Sequence, residues 1–238
     1  MERIITCENL RNFAYVNDQI CRKPIRGIVL SFFGLGTCVI YNKDIMEGEF
    51  CAEHGILYVA PYTNPWSWMN RQAVAYTDEI VDVLLEKYQL DENIPIISTG
   101  GSMGGQSALV YCAYARRTPK ACVTDCPVCD VVYHFTERAD LPRTMYSALY
   151  QETCSLDEAL RSISPLHLIG KLPKIPYHIL HCGNDTAVNP DAHSRKFVNA
   201  LLENGYEATL DIIEGKDHCD LSFDGKRKLA NYVLSSIL

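Results

Sequence analysis

A chain of 238 residues, 47% hydrophobic and 21% charged, is long enough to bury its own core and has the balance of an ordinary globule, not of a disordered chain. Its net charge of −7 argues against a nucleic-acid partner, because phosphate binding depends on basic patches. No apolar run reaches the roughly 18 residues of a membrane span, and Met1-Glu2-Arg3-Ile4-Ile5-Thr6 shows no leader pattern, so no membrane partner and a cytoplasmic location are expected.

In chain order, the first 26 residues carry no clear periodicity and supply at most one or two edge strands or a flanking element. Gly27 to Phe33 is an apolar run of strand length, Asp44 to His54 a weak helical pattern, and Ile56 to Pro61 the next strand. Arg71 to Tyr88 puts Val74, Ile80, Val81, Leu84 and Leu85 on one side of a helix and charges on the other. Further strands are predicted at Ile96 to Thr99, Ala121 to Asp125, Tyr177 to Cys182 and Ala208 to Glu214. Further helices are predicted at Gln106 to Arg117, Asp191 to Glu203 and Asp224 to Leu238. Alternation of this kind predicts an α/β domain over residues 1–238, with a mostly parallel sheet and helices on both faces.

The most specific motif is Gly100-Gly101-Ser102-Met103-Gly104, a G-x-S-x-G between a strand and a helix. A turn this sharp needs small residues on either side of the Ser, whose oxygen is then exposed at the tip. A Ser hydroxyl is a weak nucleophile until a base takes its proton and a third group orients that base. Among the seven His, His218 follows the last predicted strand in the loop Glu214-Gly215-Lys216-Asp217-His218 and is the candidate base. Asp185, after the preceding strand, is the candidate acid; Asp217 is its rival but adjoins His218 in sequence. His181, within or at the end of a strand, reads as structural. A His base of ordinary pKa would lose activity as pH falls through roughly 6 to 7.

For the oxyanion of an acyl-transfer intermediate, the backbone N–H of Met103 is one expected donor. The loop Phe33-Gly34-Leu35-Gly36 supplies the other, with Leu35 preferred over Gly34 or Gly36. The segment Cys126 to Leu172 interrupts the alternation after the strand that follows the elbow, and it is read as a cap over the site. The loop holding Tyr62, Trp66 and Trp68 lies at the C-terminal edge of the sheet and is expected to line a substrate pocket. The 11 Cys are odd in number and scattered. Cys126-Pro127-Val128-Cys129 lacks the second ligand pair a zinc site wants, so no metal or cofactor is expected.

With Ser102, Asp185 and His218 in that chain order, residues 27–238 resemble an α/β-hydrolase. The resemblance is nearest to the catalytic domain of the prolyl oligopeptidase family and to dienelactone-hydrolase-like esterases. Gly183, Asp185 and Val188 are similar to the family's H-G-x-x-D-x-x-V, with Ser164-Pro165 upstream. Two positions depart from the pattern: Phe33-Gly34 stands where His-Gly is common, and Cys182 interrupts the His-Gly before the acid. The resemblance implies a serine hydrolase acting on a small carboxylic ester without a cofactor. A peptidase, an acyltransferase or a non-catalytic binding protein are the alternatives. The peptidases of the family commonly carry a propeller domain that this length does not accommodate, which favours an ester. The oligomeric state is left open.

Overall fold

The structure is a computed structural model, and it describes residues 4–238. Residues 1–3, which open the segment read as lacking a leader, lie outside the described residues. Seven strands, β1 (Ala14–Val16), β2 (Gly27–Phe32), β3 (Ile56–Pro61), β4 (Ile96–Gly101), β5 (Ala121–Asp125), β6 (Tyr177–Cys182) and β7 (Ala208–Ile213), form one sheet in the order β1-β3-β2-β4-β5-β6-β7. Only β1, drawn from the weakly patterned N-terminal stretch, runs antiparallel, pairing Tyr15 with Ala60. Every other pair is parallel.

The helices are α1 (Met46–Glu53), α2 (Arg71–Tyr88), α3 (Met103–Tyr114), α4 (Val131–Glu137), α5 (Leu141–Leu149), α6 (Leu156–Ser162), α7 (Lys196–Glu203) and α8 (Phe223–Ile237). Successive strand residues point to opposite faces. Ile28 and Leu30 of β2 and Ile96 of β4 pack with Ile80 and Leu84 of α2, Leu109 of α3 and Phe197 of α7. Val29, Ile97 and Val123 face the other way, onto Cys51 of α1 and Val233 of α8. Two apolar layers therefore sandwich the sheet, each fully buried aliphatic contributing roughly 1.5–3 kcal/mol. Asn70 caps α2 by accepting the Ala73 N–H at 3.0 Å, and Ser222 caps α8 by accepting that of Gly225 at 3.1 Å.

Boundaries move where local chemistry decides them. Helix α3 starts at Met103, directly after the Ser102 turn, and stops at Tyr114. Beyond it, Arg116 and Arg117 leave the helix to pair with Asp78 and Asp82 on α2. The predicted helix from Asp191 opens as a π-helical turn, Asp191–Arg195, before α7. The long segment after β5 holds α4, α5, α6 and a 3-10 turn at Pro165–Lys171. It rests on the body through a cluster in which Val131, Leu141, Met145 and Leu160 meet Trp68, Met103 and Val188.

Candidate active site

The turn between β4 and α3 gives Ser102 a φ of 58° and ψ of −126°, a left-handed conformation that side-chain-bearing residues rarely adopt. Neighbouring glycines make this turn feasible. A Cβ on Gly104 would lie 2.1 Å from Phe32 O, and one on Gly100 would lie 2.5 Å from the Gly104 carbonyl. The Ser102 N–H donates to Asp125 O at 2.9 Å, tying the elbow to β5.

Loops after β6 and β7 bring the other side chains in. The Ser102 Oγ–H donates to His218 Nε2 at 2.9 Å, and His218 Nδ1–H donates to Asp185 Oδ2 at 2.6 Å. Asp185 Oδ1 accepts the N–H groups of Ala187 (2.9 Å) and Val188 (2.8 Å). Burial works against its charge, but hydrogen bonds from His181, His218 and Val188 hold this carboxyl well below the usual range. Burial also disfavours the imidazolium of His218, yet Asp185 overcomes it and pushes the pKa up to about 9. The reference value behind the expected decline at pH 6 to 7 is therefore too low. Contact with Cys219, then burial, raises the Cys126 thiol, so the Asp185 carboxylate is the charge that acts on His218. Asp217 does not reach the ring: its Oδ1 accepts the backbone N–H of His218 at 2.8 Å and of Thr186 at 3.4 Å.

An open pocket of about 460 Å³ is lined by Gly34, Leu35, Gly101, Ser102, Asp125, Arg138, His218 and Cys219. The Gly36 N–H is spent on Pro65 O at 3.0 Å. Among the described residues, the N–H groups of Met103, Leu35 and Gly34 all lack a hydrogen-bond partner within the chain.

The aromatic loop requires a correction. Trp68 is fully buried in the cluster under α4 to α6, and its indole N–H donates to Thr144 Oγ1 at 3.0 Å, so it lines no pocket. Tyr62 and Trp66 line a separate groove with Tyr76, Ser147 and Tyr150 that shares no residue with the Ser102 pocket. Trp66 lies under the Arg143 guanidinium, 5.2 Å from its ring centre.

The sequence does not single out Arg138 or Gln106, and it marks His181 as structural without its link to Asp185. Arg138 reaches the pocket from just beyond α4, and nothing in the chain around it marks that position. His181 puts Nε2 3.2 Å from Asp185 Oδ2 while donating to Val188 O at 2.9 Å, and Ser194 donates to its Nδ1 at 2.5 Å. Its spacing of four residues before Asp185 was the available signal. Gln106, wholly buried, donates from Nε2 to Trp68 O (3.1 Å) and Ile163 O (2.7 Å), joining the elbow helix to α6 and the aromatic loop.

Among the described residues four groups have metal-ligand chemistry, Asp125 with Cys126 and Cys182 and Cys126 with His181 and Asp185 among them, and the other two bear most on the site. In the first of these two, His193 Nδ1 accepts N–H groups of Cys129 and Asp130, both at 3.2 Å, so Nε2 carries the proton given to Glu137 at 3.1 Å. His134 Nδ1–H donates to the same oxygen at 2.5 Å. Glu137 is thus the shared acceptor of two imidazole N–H groups, a clamp between α4 and the π-helical turn that leaves those nitrogens no lone pair for an ion. The second cluster comprises Cys126, His218 and Cys219. Cys129 takes no part in it: its thiol is buried and donates to Pro127 O at 3.6 Å.

Solved structures with the same fold include a puromycin-hydrolyzing peptidase of Mycobacterium tuberculosis, at 18% identity and TM-score 0.71 over 91% of this chain. Esterase 2 of Thermogutta terrifontis matches at 18% identity and TM-score 0.66 over 92%. An S-formylglutathione hydrolase from Agrobacterium tumefaciens matches at 18% identity and TM-score 0.69 over 94%. The chain spans 34% of the peptidase's length, 86% of the esterase's and 87% of the S-formylglutathione hydrolase's. No curated protein matches it in sequence. Among the described residues no helix is long and apolar enough to cross a membrane. The sheet order, the Ser-bearing elbow and the loops that meet at it agree with the sequence profile of the prolyl oligopeptidase family, which matches residues 71–235, and the chain belongs to that family of α/β-hydrolase-fold serine hydrolases.

Proposed function

We propose that the protein hydrolyses a small carboxylic ester through an acyl-enzyme on Ser102, with His218 as base and Asp185 as its orienting acid. The observation that carries this is the unbroken chain from Ser102 Oγ through His218 to Asp185, at 2.9 and 2.6 Å, beside unspent N–H groups. Ser102 Oγ attacks the carbonyl carbon as His218 Nε2 takes its proton, and the oxyanion falls to the N–H groups of Met103 and Leu35. Collapse expels the alcohol, which takes the proton from His218. Water, deprotonated by the same nitrogen, then releases the acid and restores the Ser hydroxyl.

A small substrate is favoured by the pocket, about 460 Å³ in volume, where Gly34 and Gly101 leave room beside the nucleophile and Arg138 is among the lining residues. We assign the segment after β5 the role of a cap, because it supplies Arg138 and is clamped to the body by Glu137. Its burial of Trp68 removes the reason to expect an aromatic-lined pocket. The match to a small esterase over most of its length supports an ester; the family's peptidases support an aminoacyl amide as the second reading.

Labelling with a fluorophosphonate followed by peptide mapping tests the mechanism, with modification expected at Ser102 alone. A Ser102→Ala variant keeping more than about a tenth of wild-type turnover would refute it. Short-chain esters, long-chain esters and aminoacyl amides compared as kcat/KM test the substrate class, and fastest turnover on amides would move the assignment to peptidase.

A further inference from the structure

Two cysteines converge on the nitrogen assigned as the base. Cys219 has a φ of 55°, which turns its Sγ back to 3.7 Å from His218 Nε2. Cys126, at the end of β5 with a φ of 44°, points into the same space: its Sγ, the Cys219 Sγ and a His218 ring nitrogen all lie within 4.8 Å of one another. A tetrahedral zinc ion with Zn–S of about 2.3 Å and Zn–N of about 2.0 Å has S···N edges of about 3.5 Å and S···S edges of about 3.8 Å. The Cys219–His218 edge of 3.7 Å matches that of a ligand set, and the other two edges lie within 4.8 Å, in reach of it by side-chain rotation.

The surroundings complete the requirements of a metal site. The Cys182 N–H donates to Cys126 Sγ at 3.3 Å, the outer donor that steadies a coordinating thiolate. Asp125, which lines the same pocket, keeps a buried Oδ1 without a hydrogen-bond partner, an oxygen donor in want of a cation or water. Cys219 is exposed at the open pocket, so an ion has a route in.

We propose that Cys126, Cys219 and His218 bind a soft divalent ion of the Zn²⁺ class beside the Ser102 pocket. Two S–H bonds break and two S–metal bonds form, releasing two protons to solvent, while His218 gives its Nε2 lone pair to the ion. Water fills the fourth position. Resting on the reading of His218 as the base, occupancy blocks the transfer of the Ser102 proton and stops hydrolysis reversibly.

The test is titration of the fully reduced protein with Co²⁺ as a spectroscopic probe. The expected result is a thiolate-to-cobalt charge-transfer band with the intense visible bands of a tetrahedral ion, saturating at one ion per chain and abolished by added Zn²⁺. Cys219→Ser and Cys126→Ala should each lose the charge-transfer intensity, whereas Cys154→Ser, at the other exposed cysteine, should keep it. Absence of the band in the wild type, its persistence in Cys219→Ser, or its loss in Cys154→Ser would overturn the site. Circular dichroism of each variant separates a lost ligand from a lost fold. Ester hydrolysis is then followed during Zn²⁺ addition and chelation. Loss of turnover that a chelator restores is the expected outcome; tight Zn²⁺ binding with unchanged turnover would keep the site and refute the assignment of His218 as base.

Discussion

Replacing Asp185 by Asn discriminates the proposed triad from a coincidental contact, because the structure dictates how the new amide must sit. The N–H groups of Ala187 and Val188 both point at Oδ1, at 2.9 and 2.8 Å. An amide NH₂ placed there would set donor against donor, so the amide oxygen stays and the NH₂ takes the Oδ2 position. It then faces His218 Nδ1 and must donate to it, which forces the proton onto Nε2. In that tautomer His218 donates to Ser102 Oγ and cannot accept its proton. The corresponding change in a serine protease costs about 10⁴-fold, or roughly 5 kcal/mol of transition-state stabilisation at about 1.36 kcal/mol per factor of ten. Measured as kcat/KM on p-nitrophenyl acetate, Asp185→Asn should fall by that order; its NH₂ also meets the His181 Nε2–H, donor against donor, so Tm should fall too, and circular dichroism checks that the fold survives. Asp217→Asn, which disturbs only two backbone contacts, should fall by less than about tenfold. A smaller loss for Asp185→Asn than for Asp217→Asn would refute the reasoning.

Because His218 must be neutral to act and Asp185 raises its pKa, kcat/KM should climb with pH through a limb above the ordinary histidine value, bounded by about 9. A pH profile of wild type against Asp185→Ala should show that limb move to lower pH in the variant, and an unmoved limb would remove Asp185 as its cause. Trp68→Ala should lose about 3–5 kcal/mol in urea denaturation, as a buried Trp does, while Trp66→Ala loses less than about 1 kcal/mol. Equal losses would contradict the burial difference. Gln106→Leu leaves the carbonyls of Trp68 and Ile163 without their donor, at about 1–3 kcal/mol each, and should lower the urea midpoint and kcat together. A stability loss with kcat untouched would show that the elbow does not depend on that anchor.

Much of the sheet was legible because most strands are short apolar runs buried along nearly their whole length; β7, half-buried throughout, is the exception. The limits of β5 and β6 and of α2 match the periodic segments, residues 121–125, 177–182 and 71–88. The elbow was legible for a different reason. Gly100 and Gly104 are demanded by backbone contacts of 2.5 and 2.1 Å that any Cβ would make, so the requirement is written in the residue type itself. Pocket walls have no such constraint. Arg138 and Cys219 line the Ser102 pocket from two loops distant in the chain, and their approach depends on how α4 and the β7–α8 loop dock. Trp68 misled for the complementary reason: a Trp in a loop at the sheet edge has the composition of a pocket wall, but α5 closes over it and Thr144 satisfies its N–H.

The choice between His181 and His218 shows where residue type stops being informative. Both imidazoles reach Asp185 Oδ2, at 3.2 and 2.6 Å, and both sit at the C-terminal edge of the sheet. What separates them is the second nitrogen. His181 is wholly buried with Nδ1 receiving the Ser194 hydroxyl and Nε2 donating to Val188 O, so neither nitrogen is free to move a proton to or from a substrate. His218 spends Nδ1 on Asp185 and turns Nε2 toward Ser102, with its side chain 24% exposed to the pocket. One carboxylate thus fixes two rings, one as a strut for the loop after β6 and the other as the candidate base. That division follows from which ring the β7–α8 loop leaves open to the pocket, a property of the assembled sheet edge and not of either residue's neighbours in the chain.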